Sequence, residues 1–266
     1  MCAELLCLNS ITLPGDLDPK LTAAKSAGFT AIGLWEKDLR EYPKGAEAAR
    51  SLVSQHGLAV PEFFLLRDWQ LTTGEARQAA FQRAREFFEF MAAQGFDLAL
   101  VCSGLGTGTM DQAVGDLREL GDLAAAHRIR LAYEFMAWAQ WLRDLRTAWE
   151  VVQRAECPNV GLAVDSFHLF KTGSSVGDLR RIPVEAISIV HLDDAPDWDM
   201  DLMQLSRHHR LFPGEGDLPI KDMVSTLREM GYIGWYCLEI FNDEYWRRDP
   251  RIVAEQGMAS LRKLLT

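Results

Sequence analysis

The chain has 266 residues, 48% of them hydrophobic and 25% charged, with 10 prolines. Those values sit near the globular averages and set aside collagen-like, disordered and coiled-coil chains. A formal net charge of −10 opposes a nucleic-acid partner, because phosphate backbones are held by clustered Lys and Arg, but it leaves room for a small anionic substrate gripped by a few local arginines.

Five cysteines, Cys2, Cys7, Cys102, Cys157 and Cys237, lie far apart without a CxxC pair. This scatter fits buried thiols in a reducing compartment better than a disulfide framework. The first thirty residues contain Glu4, Asp16 and Asp18 and no basic segment leading into an apolar run, so no signal peptide is expected. No stretch of about 18 apolar residues appears, so no membrane span is expected either. The expected location is the cytoplasm.

In chain order, short apolar runs alternate with helical patterns. Strands are predicted at Leu5–Asn9, Ala31–Trp35 and Ala59–Leu65, then a helix over Glu75–Gln94 with Phe81, Ala84, Phe87, Phe88 and Met91 on one face. Strand Leu98–Cys102 precedes helix Met110–His127, and Arg130–Phe135 precedes helix Gln140–Ala155. Val160–Asp165 is followed by a short segment broken by Gly173 and Gly177, which gives the weakest helical pattern. Ser188–Leu192, helix Ile220–Met230, Trp235–Ile240 and helix Ile252–Leu265 complete the series. The strands lack strict polar alternation, as expected of parallel strands buried on both faces. "AGFTAIGL", "QGFDLALV" and "MGYIGWYCLEI" repeat one device, in which a glycine closes a helix and a strand begins. Eight alternations in a chain of this size predict a single (β/α)8 TIM barrel spanning residues 1–266.

The connection from Asp193 to Leu218 is unusually long and carries Arg207, His208, His209, Arg210 and "FPGEGD". Such loops are commonly functional, and this one follows strand seven at the face where barrel active sites form. Four consecutive strands end in a residue able to ligate a metal: Glu134, Asp165, His191 and Glu239, spaced 31, 26 and 48 residues apart in turn. A single acid at a strand end is usually a turn or cap residue. Four in succession are harder to read as caps, and Glu134 and Glu239 lie within the apolar runs "AYEFMAW" and "CLEIFN", where an unpaired carboxylate is costly. Three carboxylates and one imidazole suit one divalent ion, Mn²⁺, Mg²⁺, Co²⁺ or Zn²⁺.

With "DSFH" and "VHLDDAP", this set resembles the xylose-isomerase-like TIM-barrel superfamily of sugar isomerases, epimerases and related lyases. Within it, "LRDW", "LVCS", "YEFMAWAQWLRDLRTAWEVV", "GLAVDSFH", "SRHHRLFPGEGDLP" and "LEIFND" are most similar to the bacterial 3-dehydroshikimate dehydratases, particularly those fused to a dioxygenase-like domain. The chain departs from those fused enzymes in ending at residue 266 and in His191, where they carry glutamine and the isomerases carry histidine.

The resemblance implies metal-assisted removal of a proton α to a carbonyl, with Glu134 and Glu239 as the carboxylates on opposite sides of the substrate. In a dehydratase a second acid must serve the departing hydroxyl, and His168 is the candidate; capping or orienting a ligand is its alternative role. Asp193 is expected to fix the tautomer of His191. Arg67, Arg207 and Arg210 are candidates for an anionic group on the substrate, since a guanidinium pairs bidentately with carboxylate or phosphate; for Arg67 the rival partner is Asp68. Trp138 is the aromatic most expected to face the substrate, ahead of Trp35, Trp69 and Trp141, which are as readily core residues.

"GLGTGTM" at 104–110 lacks the Lys-Ser/Thr of a P-loop and reads as a flexible loop. "FNDEYWRRDP" offers a lid or an oligomer contact, and the resemblance allows a homo-oligomer. Two further classes share this barrel. Abasic-site endonucleases need more ligands and a basic face, and a non-catalytic binding barrel would have no use for the converging acids. The expected partner is therefore a small polyhydroxy keto substrate, with neither nucleic acid nor membrane. Dehydration is favoured, and reprotonation by a keto-sugar or inosose isomerase or epimerase is the alternative.

Overall fold

A computed structural model describes residues 5–265; Cys2 and Glu4 lie outside the described residues. The strands β1 (Leu5–Asn9), β2 (Ala31–Trp35), β3 (Phe63–Leu66), β4 (Leu98–Cys102), β5 (Arg130–Glu134), β6 (Val160–Asp165), β7 (Ile187–Leu192) and β8 (Trp235–Leu238) close into a barrel in chain order. Helices interleave with them, as the alternating pattern predicts. Among the described residues, no helix is long and apolar enough to cross a membrane.

Contacts divide the chain into two compact units. The first comprises the chain through Pro61, Asp165–Phe167 and everything from Val190 onward. Here β1 pairs in parallel with β2 (Cys7 opposite Ala31) and with β8 (Leu5 opposite Trp235), while β7 sets His191 opposite Cys237 of β8. The second comprises Glu62–Val164 and His168–Ile189. In it β4 sets Cys102 opposite Glu134 of β5, and β5 sets Tyr133 opposite Leu162 of β6. Its core stacks Phe63 on Phe96, with ring centroids 4.8 Å apart, and brings Phe87 alongside.

The repeated glycine device has a clear physical basis. Gly28 (φ 96°) and Gly95 (φ 75°) take the left-handed conformation after helices Leu17–Ala27 and Gly74–Gln94. The next residue then turns its N–H back onto the last turn: Phe29 onto the Ala24 carbonyl at 3.1 Å and Phe96 onto that of Met91 at 3.0 Å. Such 6→1 bonds satisfy carbonyls the helix leaves orphaned, and the aromatic that follows is buried as the next strand begins.

Several predicted boundaries shift. Pro61 cannot donate to a ladder, so Ala59 forms only an isolated bridge to Ala31 and β3 starts at Phe63. Beyond Leu238 the chain leaves the ladder: Ile240 gives its N–H to the Thr12 hydroxyl at 2.9 Å, and Glu239 lies just past β8. The helix predicted from Gln140 begins at Leu145, because Asp144 caps it by accepting the Thr147 N–H at 3.0 Å. After β6 come two short helices, Ser166–Lys171 and Val176–Leu179, separated around Gly173. The long connection after β7 contains the helix Leu202–His208, capped by Asp201. In "GLGTGTM", Gly104 is packed, since a Cβ there would stand 2.8 Å from the Gln70 carbonyl oxygen, while residues 105–109 are exposed, as expected of a loop. In "FNDEYWRRDP", Tyr245 stacks on Phe212 at 4.4 Å and the Trp246 indole donates to the Ile11 carbonyl at 2.8 Å.

Candidate metal and catalytic site

In the first unit Asp165 ends β6, His191 is the penultimate residue of β7, and Glu239 follows β8. All three are buried, and their ligand atoms lie within 4.8 Å of one another. His191 Nδ1 stands 3.6 Å from Glu239 Oε2, while Asn9 at the end of β1 donates its side-chain amide to Glu239 Oε1 at 3.1 Å. Asn9 is held in turn by accepting the Ile11 N–H at 3.1 Å. Its role was not foreseen. The signal available in the sequence was an amide at the end of a strand, on the same face as the acids.

Arg210 reaches this group from the long connection. Its Nη1 lies 2.7 Å from Asp165 Oδ2, 2.6 Å from Asp193 Oδ2 and 3.3 Å from Glu239 Oε2. The contact with Asp193 is an ion pair. Asp193 is held on its other side by the segment that follows β6. Its Oδ1 accepts the Ser166 hydroxyl at 2.5 Å and the Phe167 N–H at 3.0 Å, so it ties the end of β6 to the end of β7. Burial pushes the Asp193 carboxyl up to about 8, against the pull of Arg210 and with a further push from Asp165.

The path of the connection is set by Asp194. Its carboxylate accepts four backbone N–H groups, from Ala195, Gly214, Gly216 and Leu218, at 2.8–3.0 Å. Gly216 is required there, since a Cβ would fall 2.5 Å from Asp194 Oδ1.

In the second unit Glu134 ends β5, buried, with Cys102 Sγ 3.8 Å from its Oε2. His168 is also buried, and its Nδ1 accepts the Ala137 N–H at 3.1 Å. The lone pair is therefore on Nδ1, and the neutral ring carries its proton on Nε2. Trp138, half-buried, meets the His168 ring edge-on at 5.0 Å. Cys102, Met136 and Ala139, with Leu65 and Trp138 packed on them, form an apolar cluster here.

The other candidates differ in placement. Arg67 follows β3 with a side chain 55% exposed, 3.5 Å from Asp68, the rival pairing named above. Arg207 is exposed on its helix. Trp69 is fully buried, edge-on to Tyr133, and belongs to the core. The structure thus brings Asp165, His191, Glu239 and Arg210 together in one unit, and His168 with Trp138 in the other.

The chemistry of the donors, carboxylates with an imidazole, fits a hard or borderline divalent ion. The chain is 33% identical to 3-dehydroshikimate dehydratase of Pseudomonas putida over 257 residues, 96% of this chain and 40% of that protein. It thus spans about two-fifths of the length of that relative. It is 30% identical to inosose isomerase of Bacillus subtilis over 152 residues, 57% of this chain and 52% of that one. Among solved structures, a xylose isomerase-like TIM barrel/4-hydroxyphenylpyruvate dioxygenase fusion protein superposes with TM-score 0.94 and 32% identity, covering 99% of this chain and 43% of that one. The IOLI protein, solved with a bound zinc atom, shares the fold with TM-score 0.89 at 22% identity, covering 98% and 97% of the two chains. The family model described as xylose isomerase-like TIM barrel matches residues 21–264, and the chain belongs to that family.

Proposed function

We propose that the chain is an enzyme that removes a proton α to the carbonyl of a polyhydroxy keto substrate, acting as a 3-dehydroshikimate dehydratase-like lyase with one divalent ion as cofactor, Mn²⁺, Mg²⁺, Co²⁺ or Zn²⁺. The observation that carries this reading is the grouping of Asp165, His191 and Glu239 within the first unit, all buried, with ligand atoms within 4.8 Å of one another; Glu134, buried at the end of β5, is added as the fourth ligand. The dehydratase and isomerase relatives support it, as does the zinc in the IOLI protein.

Glu134, Asp165, His191 and Glu239 would hold the ion, which when bound polarises the substrate carbonyl. Glu134 or Glu239 takes the α-proton as general base. His168, with its proton on Nε2, gives a hydrogen bond to the departing β-hydroxyl, and the carboxylic acid formed at Glu134 or Glu239 returns its proton so that the hydroxyl leaves as water. Trp138 lies against the carbon ring, and Arg67 pairs with the substrate carboxylate. Loss of water then leaves an aromatic dihydroxybenzoate, whose aromaticity drives the reaction.

A second reading, an inosose or keto-sugar isomerase or epimerase, uses the same residues and returns the proton instead of expelling hydroxide. The inosose isomerase relatives and His191 favour it. In either case the partner is a small ketone, acidic in the first reading and neutral in the second; the proposal includes neither nucleic acid nor membrane, and it places the protein in the cytoplasm on its scattered cysteines.

An ultraviolet assay with 3-dehydroshikimate, with added Mn²⁺, Mg²⁺ or Co²⁺ and with a chelated control, tests the lyase reading. Metal-dependent growth of an aromatic absorbance is the expected outcome. Metal-loaded, folded protein that leaves the spectrum unchanged rejects this substrate, and solvent-hydrogen exchange into inososes and ketoses then tests the second reading.

A further inference from the structure

Arg210 is 2% exposed, an unusual degree of burial for a cation. Its position is built into the fold. The guanidinium lies between the rings of Phe167 and Phe241, 5.1 and 5.2 Å from their centroids. Nε donates to the Ser206 carbonyl at 3.1 Å and Nη2 to the Ser206 hydroxyl at 2.8 Å. The backbone is held as firmly: the Arg210 N–H donates to the Phe241 carbonyl at 3.1 Å, and its carbonyl accepts the Asn242 amide at 2.8 Å. Leu211, the next residue, exchanges two backbone bonds with Asp194, at 2.9 and 2.7 Å. This is a fixed charge and not a surface arginine that swings inward.

Its Nη1 addresses Asp165 Oδ2 and Glu239 Oε2, atoms of two residues assigned above to the metal, and Glu239 Oε2 also faces His191 Nδ1 at 3.6 Å. A divalent ion and Arg210 would therefore draw on the same carboxylates. Buried carboxylates held this close are costly without a cation, and two cations on one carboxylate pair repel each other.

Resting on the metal reading of the preceding section, we propose that Arg210 is the resident counter-cation of the site. It neutralises the ligand carboxylates in the metal-free protein and, by the same charge, lowers their affinity for the divalent ion. Arg210 is in this sense a positioning residue for the metal site, and the ion becomes exchangeable instead of permanently trapped.

The test uses melting temperatures of wild type, R210M and R210K in chelator and in saturating Co²⁺, together with Co²⁺ calorimetry. R210M keeps the bulk of the side chain without its charge. It should melt lower in chelator, gain more from Co²⁺ than wild type does, and bind Co²⁺ about tenfold tighter or more. R210K, which keeps the charge, should stay near wild type in Co²⁺ affinity. An R210M affinity equal to or weaker than that of wild type overturns the proposal. If R210M is unfolded in chelator, folding on addition of Co²⁺ supports it, and failure to fold even in saturating Co²⁺ overturns it. A wild type that neither binds Co²⁺ nor changes its melting temperature overturns the metal reading itself, and this inference with it; the other adverse outcomes overturn this inference alone.

Discussion

Arg210 and His168 are both almost fully buried, at 2% and 1% exposure, yet their surroundings handle polarity in opposite ways. Around Arg210 the first unit gathers three carboxylates, with Ser206 holding the rest of the guanidinium. Around His168 the second unit places one backbone donor, Ala137, and the rings of Phe135 and Trp138. The first environment is dense in charge and can balance a cation. The second sets an oriented imidazole among aromatic rings. A buried charge needs several partners at once, whereas a neutral ring is satisfied by one well-placed bond, so the two regions demand different amounts of supporting structure.

Matched substitutions at the two acids give the largest expected effect. Glu134→Gln and Glu239→Gln, one from each unit, should each lower kcat by about 10³-fold while circular dichroism shows an intact fold. Near-normal turnover in both would remove the base role from these carboxylates, and loss in only one would locate the base. His168→Gln comes next, with kcat down about 10²-fold. It should leave Co²⁺ affinity at the wild-type value, since the imidazole belongs to the apolar region; a variant that no longer binds Co²⁺ would erase the contrast between the regions. The smallest effect is expected at exposed Arg67. Arg67→Ala should raise KM for a carboxylate substrate about tenfold, with kcat and the KM for a neutral inosose nearly unchanged. A KM unmoved for every acidic substrate would take Arg67 out of the site.

The barrel and the four strand-end ligand candidates were legible because they depend on local pattern. Residues such as Leu98–Cys102 are apolar throughout because both faces of the strand are covered, and the turn "AGF" can only end a helix where glycine accepts a positive φ. Asp165 and His191 could be read from their strands for the same reason, since parallel strands of one barrel present their C-terminal ends on one face. Boundaries were read less well where a side chain overrode the pattern. Asp144 delays a helix by capping Leu145, and the Thr12 hydroxyl draws Ile240 out of the ladder.

The sequence by itself therefore determined the alternation of strands and helices, the closing turns and the acids at the strand ends, because each is a short-range consequence of residue type and spacing. Only the tertiary structure decided what the charged and imidazole side chains face. Arg210, a plausible substrate anchor by residue type, is directed onto Asp165, Asp193 and Glu239 by a loop whose course depends on Asp194 collecting four backbone N–H groups. Asn9 meets Glu239 across 230 residues, and Ala137 selects the tautomer of His168 across 31. Those partners are far apart in the chain, and a hydrogen bond or ion pair depends on distance and angle in space, which residue spacing does not encode.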